Sequence, residues 1–173
     1  METDNVLKGY FNPADYDIDL DVTTISPTID FGGRNGTFAA TSPYPDGTSG
    51  TALSDFSVEA IATLSIPAGD WTIGFGSDGG GILRLPNVSF LESFGEDGPV
   101  TSGDGELIHD ANRSHQWTRG TFSVGPEGLS TELQVFFFER NGGDSFELAI
   151  SGGHQGQKVD PSSWTLLADG AMG

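Results

Sequence analysis

Acidic residues supply most of the reactive side chains in this chain. Its 173 residues include 25 Asp and Glu and 3 His but no Cys, which excludes a thiol nucleophile. One carboxylate stands out by its position, because Asp78 lies in the run Ser77-Asp78-Gly79-Gly80-Gly81 between two strand-like segments. Glycine lets the backbone adopt unusual dihedral angles there, so the carboxylate would be held at the rim of a sheet.

The usual catalytic motifs are missing. No Gly-x-Ser-x-Gly elbow occurs, and the three glycines after Asp78 are not followed by the Lys-Ser/Thr of a phosphate loop. His109 and His115 have no evident third metal ligand, and we interpret them as ordinary surface residues. We therefore expect no enzyme. A glycoside hydrolase is the least favoured alternative, kept because the carboxylates that its mechanism needs are abundant.

Alternating apolar and polar residues predict the strands that would position Asp78. Val58 to Ile66 alternates, a turn follows at 67–70, and Trp71, Ile73 and Phe75 line one face of the next strand. With 26 Gly and 9 Pro, the composition suits an all-β antiparallel sandwich of the lectin-like jelly-roll type. We predict a bulge near Ala60-Ile61. The predicted core includes Val58, Ile61, Leu64, Ile66, Trp71, Ile73, Phe75, Leu83, Leu85, Val135, Phe137 and Leu148.

The remaining segments predict one module, residues 1–173, with two long loops at one end. These loops span 32–55 and 91–116 and are rich in Gly and acids, so they would carry the variable part of the function. Residues 15–24 alternate with four aspartates on one side, which is typical of a solvated edge strand. The acidic start contains no signal peptide, and we interpret the chain as a module excised from a larger secreted or surface protein of a bacterium.

The formal net charge of −18 limits the partners of this module. Nucleic acid is disfavoured because phosphate contacts need Lys and Arg, of which the chain has 7. Anionic membrane surfaces are disfavoured for the same reason, and no stretch has the length and apolarity of a membrane span. We expect a monomer without membrane insertion.

Two blocks of sequence resemble a known family. The first is Gly69-Asp70-Trp71-Thr72-Ile73 followed by Ser77-Asp78-Gly79 and Leu83-Arg84-Leu85. The second is Trp117 to Phe122 followed by Leu133 to Gly143. Taken in this order, over roughly residues 55 to 150, they resemble the protective-antigen lectin-like family (the PA-fourteen type), a β-sandwich found in yeast adhesins and bacterial glycosidases.

The resemblance implies a calcium site. In lectin-like members of that family, two adjacent acids before the glycine coordinate calcium, and the calcium holds sugar hydroxyls. Asp78 matches the second acid, whereas Ser77 stands in the place of the first and is a weaker ligand. Asn141 falls near the family's metal-contacting asparagine, and Asp144 could add a carboxylate. The alternative is that Asp78 caps a glycine turn and Asn141 occupies a hairpin turn at positive φ.

Two aromatic residues complete the predicted ligand site. Tyr44 and Trp117 lie in or beside the long loops, where a planar side chain could stack on a sugar ring or else cover the core. We expect a non-catalytic carbohydrate-binding or adhesion module, calcium-dependent, with a polysaccharide or glycan held by Asp78, Tyr44, Trp117 and Asn141. A structural cell-surface module without a sugar site is the main alternative.

Overall fold

The computed structural model describes residues 26, 28–32, 36–38, 42–48, 55–96, 100–156 and 158–167. The predicted acidic strand at 15–24 and part of the predicted loop at 32–55 lie outside these residues. Within them, no helix is long and apolar enough to cross a membrane. The strands are β1 (Asp30–Gly32), β2 (Phe56–Ile66), β3 (Gly69–Asp78), β4 (Gly80–Arg84), β5 (Glu92–Gly95), β6 (Thr101–Gly103), β7 (Glu106–His109), β8 (Gln116–Val124), β9 (Leu129–Glu139), β10 (Ser145–Gly152) and β11 (Thr165–Leu166).

These strands form two antiparallel sheets, as the all-β sandwich prediction requires. One sheet has the order β1-β10-β3-β8-β5, with β11 also paired to β10, and the other has the order β2-β9-β4-β7-β6. Both sheets contribute to one apolar core, and the rings of Phe137 in β9 and Phe146 in β10 stack across it at 4.9 Å. The prediction of burial is confirmed for Val58, Ile66, Ile73, Phe75, Leu83, Leu85, Val135, Phe137 and Leu148.

Strand β2 contains the clearest error in the predicted core. Ile61 is 61% exposed, whereas Leu64 and Trp71 are half-buried against the core. The predicted bulge is absent, because β2 pairs with β9 without interruption from Phe56 to Ile66. Successive side chains of an uninterrupted strand point to opposite faces, so Val58 and Ile61 cannot both face the core.

The segment 91–116, predicted as a loop, contains three short strands. β5 pairs with β8, and β7 pairs with both β4 and β6. Leu107 lies opposite Leu83 in this pairing and is fully buried in the core. The strand that contains Leu107 has only four residues and lies among glycines and acids. It is too short to show an alternation in the sequence, so it was not predicted.

The outer face of the six-stranded sheet is also covered. Phe146, Leu148 and Ile150 of β10 point into the core, so the residues between them point outward. A second apolar cluster lies on this outer side and consists of Trp117, Ala149, Val159, Trp164 and Phe38. At Gly76, an added Cβ would lie 2.8 Å from the rings of both His115 and Trp117, so glycine allows these rings to pack close to the sheet.

Candidate functional site

Asp78 lies where the chain passes from one sheet to the other. It is the last residue of β3, and β4 of the second sheet begins two residues later at Gly80. Gly79 makes this crossing with φ 95°, and its N–H donates to the carbonyl of Arg113 at 2.8 Å. An added Cβ at Gly79 would lie 2.3 Å from the carbonyl oxygen of Phe138. The crossing therefore requires glycine, and it places Asp78 at the rim of the sandwich.

The turn between β9 and β10 lies beside Asp78. Asp78 pairs with Ser145 at the start of β10, which makes Asp144 its close neighbour. The side chain of Glu139 closes the turn, since its Oε1 accepts hydrogen bonds from the N–H groups of Arg140 (2.9 Å) and Asn141 (2.8 Å). Asn141 is exposed, and the positive φ falls on Gly142 rather than on Asn141. The structure thus places Asp78 beside Asp144 and leaves Asn141 exposed in the same turn as Asp144.

Three carboxylates are buried at this rim, and we call Asp78, Glu139 and Asp144 the acidic cluster. Asp144 is 0% exposed and Asp78 is 8% exposed. Three of their oxygens have no hydrogen-bond partner among the described residues: both carboxylate oxygens of Asp144 and the Oε2 of Glu139. The buried hydroxyl of Tyr44 faces Asp144 but falls short of a full hydrogen bond. Buried carboxylate oxygens without partners are costly, so a cation or a proton would stabilise the cluster.

The pKa values of the acidic cluster reflect this burial. Burial raises the pKa of Glu139 to about 7, and the charges of Asp78 and Asp144 add to the increase against the opposing effect of the two turn N–H groups. Burial also raises the pKa of Asp78 and the pKa of Asp144. The pKa of Tyr44 is raised by burial and by the nearby carboxylates of Asp144 and Glu139. The charges of Asp78 and Asp144 thus disfavour the ionised form of Glu139, and the charge of Asp144 disfavours that of Asp78.

Calcium binding at this rim stays a prediction. Calcium prefers six to eight oxygen ligands and accepts amide and backbone carbonyls besides carboxylates. Over the described residues, no three His, Cys, Asp or Glu side chains are grouped so that they could hold an ion. The predicted calcium ion would have the carboxylates of Asp78 and Asp144 and the exposed amide of Asn141 as its protein ligands.

Ser77 departs from the family pattern in a way that the structure explains. Its side chain is fully buried, accepts a hydrogen bond from the guanidinium of Arg113 at 3.1 Å and donates one to the carbonyl of Gly79 at 3.0 Å. The Arg113 guanidinium also lies 5.9 Å from the centre of the Phe75 ring. Where the resembling family has an acid, this chain therefore has a hydroxyl that holds a cationic side chain. No pattern in the sequence marks Arg113 as a neighbour of Ser77.

The predicted stacking residues are not exposed. Tyr44 is 4% exposed and packs edge-on against Phe56 in the core, with ring centroids 4.8 Å apart. Trp117 is 2% exposed, lies between Phe38 and Trp164 on the outer face, and donates its indole N–H to Thr37. Each ring is covered by residues distant in the sequence, as in the alternative in which it covers the core. A role for them in ligand binding stays a prediction.

A polar network under residues 36–38 was missed by the sequence analysis. His115, interpreted there as a surface residue, is 10% exposed and lies between Ser145 and Glu147. Its Nδ1 is 2.6 Å from the Ser145 hydroxyl, and its Nε2 is 3.2 Å from Glu147. A serine, a histidine and an acid in contact resemble a nucleophile with its base, but Ser145 is fully buried and offers no access to a substrate.

The carboxylate of Glu147 that contacts His115 also binds the backbone of residues 37–38. Its two oxygens accept hydrogen bonds from the backbone N–H groups of Thr37 and Phe38, each at 2.8 Å. Asp30 pairs with Glu147 in the neighbouring strand β1, and burial together with the charge of Glu147 raises the pKa of Asp30 to about 7. The pKa of Glu147 is lowered, because the hydrogen bonds of His115, Phe38 and Thr37 outweigh its burial. Asp30 thus takes up a proton at higher pH than Glu147 does.

We expect Asp30→Asn to stabilise the protein at pH 8 but not at pH 5. The pKa of Asp30 is higher in the folded state, so its contribution to stability falls as pH rises from about 4 to about 7. An amide reproduces the protonated acid and removes that loss. Thermal unfolding should show a rise in melting temperature of roughly 5 °C at pH 8. Asp104→Asn, the same change at an exposed residue, is the control, and equal effects of Asp30→Asn at both pH values would contradict the prediction.

Comparison with known proteins gives one structural match. No protein-family model matches this chain, and no curated protein matches it. A solved structure, the PA14 domain of the antifreeze protein MpAFP, aligns with a TM-score of 0.45 and 15% sequence identity. The fold is similar to that domain. The alignment covers 72% of this chain and 53% of the other, so it spans about half of that chain. The matched domain bears the name of the family that the sequence blocks resemble.

Proposed function

We propose that this chain is a non-catalytic carbohydrate-binding or adhesion module that acts outside the cell with the help of calcium. The acidic cluster is the observation that carries the proposal. Buried carboxylate oxygens of Asp144 and Glu139 without hydrogen-bond partners lie at the rim of the sandwich, where binding residues are commonly found. A cation at this position would offset their charge and serve as the contact to a ligand.

In this proposal the protein supplies some of the calcium ligands and the sugar supplies the others. Asp78 and Asp144 would hold the calcium ion, with the exposed amide of Asn141 completing the protein ligands. Calcium keeps further coordination positions for outside oxygens, which the neighbouring hydroxyls of a sugar can fill. The net charge of −18 favours a neutral glycan, since an anionic one would be repelled from the remaining surface.

The proposal is tested on a glycan array with calcium and again with chelator. We expect binding that requires calcium and that Asp78→Ala abolishes, because this change removes one of the two carboxylate ligands while the core stays intact. Asp70→Ala is the control, as Asp70 is an exposed aspartate at the start of the same strand. If Asp78→Ala binds every glycan as the parent does, the sugar site is elsewhere or does not exist.

A structural surface module without a sugar site is the second candidate. The bond between Ser77 and Arg113 favours it, because a cationic side chain already lies on the side of Asp78 where the resembling family has an acid. The burial of Tyr44 and Trp117 favours it too, since no stacking face is offered by either ring. This candidate predicts an empty glycan array under both conditions. Turnover of a chromogenic glycoside would instead indicate a hydrolase.

A further inference from the structure

Strand β2 forms one edge of the five-stranded sheet. It is 11 residues long and pairs with β9 along its whole length. No hydrogen bond between described residues reaches β2 from its other side. Edge strands of this length are usually protected by a bulge, a proline or a lysine, because their free N–H and C=O groups can pair with another strand. β2 has none of these features.

The sequence of β2 is nearly symmetric about its central residue, Ile61. It reads Phe-Ser-Val-Glu-Ala-Ile-Ala-Thr-Leu-Ser-Ile, and the two halves match in residue class when one is reversed. If two copies pair antiparallel with Ile61 opposite Ile61, each residue meets a counterpart of similar character. The other pairs are Phe56 with Ile66, Ser57 with Ser65, Val58 with Leu64, Glu59 with Thr63, and Ala60 with Ala62.

This register also accommodates two features of β2. The exposed Ile61 is unfavourable in water, and the charge of Glu59 is unfavourable for self-association. Ile61 is one of two large apolar side chains that are strongly exposed among the described residues, and the register would cover each Ile61 with its counterpart. Glu59 is the single charged residue of the strand, and it would lie opposite Thr63 rather than opposite the second Glu59. Like charges therefore do not face each other, although the chain as a whole carries −18.

We propose that this chain associates with a second copy of itself through β2, in an antiparallel pair centred on Ile61. The two five-stranded sheets would then form one continuous sheet across a two-fold axis, which is the commonest symmetry of homodimers. The inference is independent of glycan and calcium binding. A dimer formed through β2 differs from the monomer that we expect from the sequence.

Sedimentation velocity tests the association. Between about 10 µM and about 1 mM protein we expect a concentration-dependent dimer that strengthens with added salt, because salt screens the repulsion between two acidic chains. Ile61→Lys should weaken the dimer at least about tenfold, since it places two ammonium groups side by side. Leu91→Lys is the matched control. Leu91 is 60% exposed and lies outside β2, and its substitution adds the same charge.

Cysteine cross-linking tests the register. The chain contains no Cys, so single substitutions report on one position at a time. Directly opposed residues of antiparallel strands lie within the Cα separation that a disulfide needs. Under mild oxidation Ile61→Cys should therefore form a covalent dimer faster than Leu91→Cys or Glu59→Cys. A protein that stays monomeric at all concentrations, with Ile61→Cys no faster than Leu91→Cys, would overturn the proposal.

Discussion

Calcium should raise the melting temperature of the parent protein at pH 8, and Asp144→Asn should remove that effect. Asp144 is fully buried with both carboxylate oxygens unpaired, so it gains more from a cation than an exposed acid would. A ligand at 100 times its Kd stabilises the folded state by about 2.7 kcal/mol, which corresponds to roughly 5–10 °C for a chain of this size. Differential scanning fluorimetry with calcium and with chelator measures the shift.

The same substitution should act in the opposite direction when chelator is present. Asp144→Asn removes a charge that burial destabilises, so the variant should melt above the parent in chelator. Asp104→Asn makes the same chemical change at an exposed residue and should leave both curves where they are. Identical curves of the parent with calcium and with chelator would show that no ion binds, and a parent-like response of Asp144→Asn would place the ion elsewhere.

Gly79→Ala should destabilise the fold by about 3 kcal/mol or more, because the substitution combines backbone strain with a collision. The residue has φ 95°, and its added Cβ would lie 2.3 Å from the carbonyl oxygen of Phe138 in the neighbouring strand. Backbone cannot move aside as a flexible side chain can, so the crossing between the sheets must shift. Urea unfolding measures the loss, and calcium should then stabilise the variant less than the parent.

Gly142→Ala separates the two causes of this loss. Gly142 has φ 109°, but an added Cβ there meets no atom within 4 Å. Its substitution should therefore cost only the strain of a positive φ, about 1–2 kcal/mol. Equal losses from the two variants would show that the approach of Phe138 to Gly79 contributes nothing.

Period-two alternation predicts most of the core because each strand has one face toward it. Ile73, Phe75, Val135 and Phe137 are buried for this reason. Ile61 is the exception, since a continuous register with β9 leaves no bulge to turn its side chain inward. The four-residue β7 was missed because a strand so short shows too little alternation to be recognised.

The candidate site was predictable only where neighbouring residues in the chain define it. Asp78, Asn141 and Asp144 lie in two glycine-rich turns, and the predicted adjacency of these turns is seen in the pairing of Asp78 with Ser145. The burial of Trp117 depends on Phe38 and Trp164, which alternation within β8 cannot reveal. The network of Asp30, His115 and Glu147 likewise joins three distant parts of the chain, and no local pattern marks it.

The hydrogen bonds from the backbone of Thr37 and Phe38 to Glu147 constrain the order in which the protein folds. The two hydrogen bonds join positions 110 and 109 residues apart in the chain. Closing so long a loop is entropically costly until other contacts have brought its ends together, so these bonds form after β10 has taken its place. In a chain that is still being synthesised, Glu147 is absent, so the cover that Phe38 provides for Trp117 is held only late in folding.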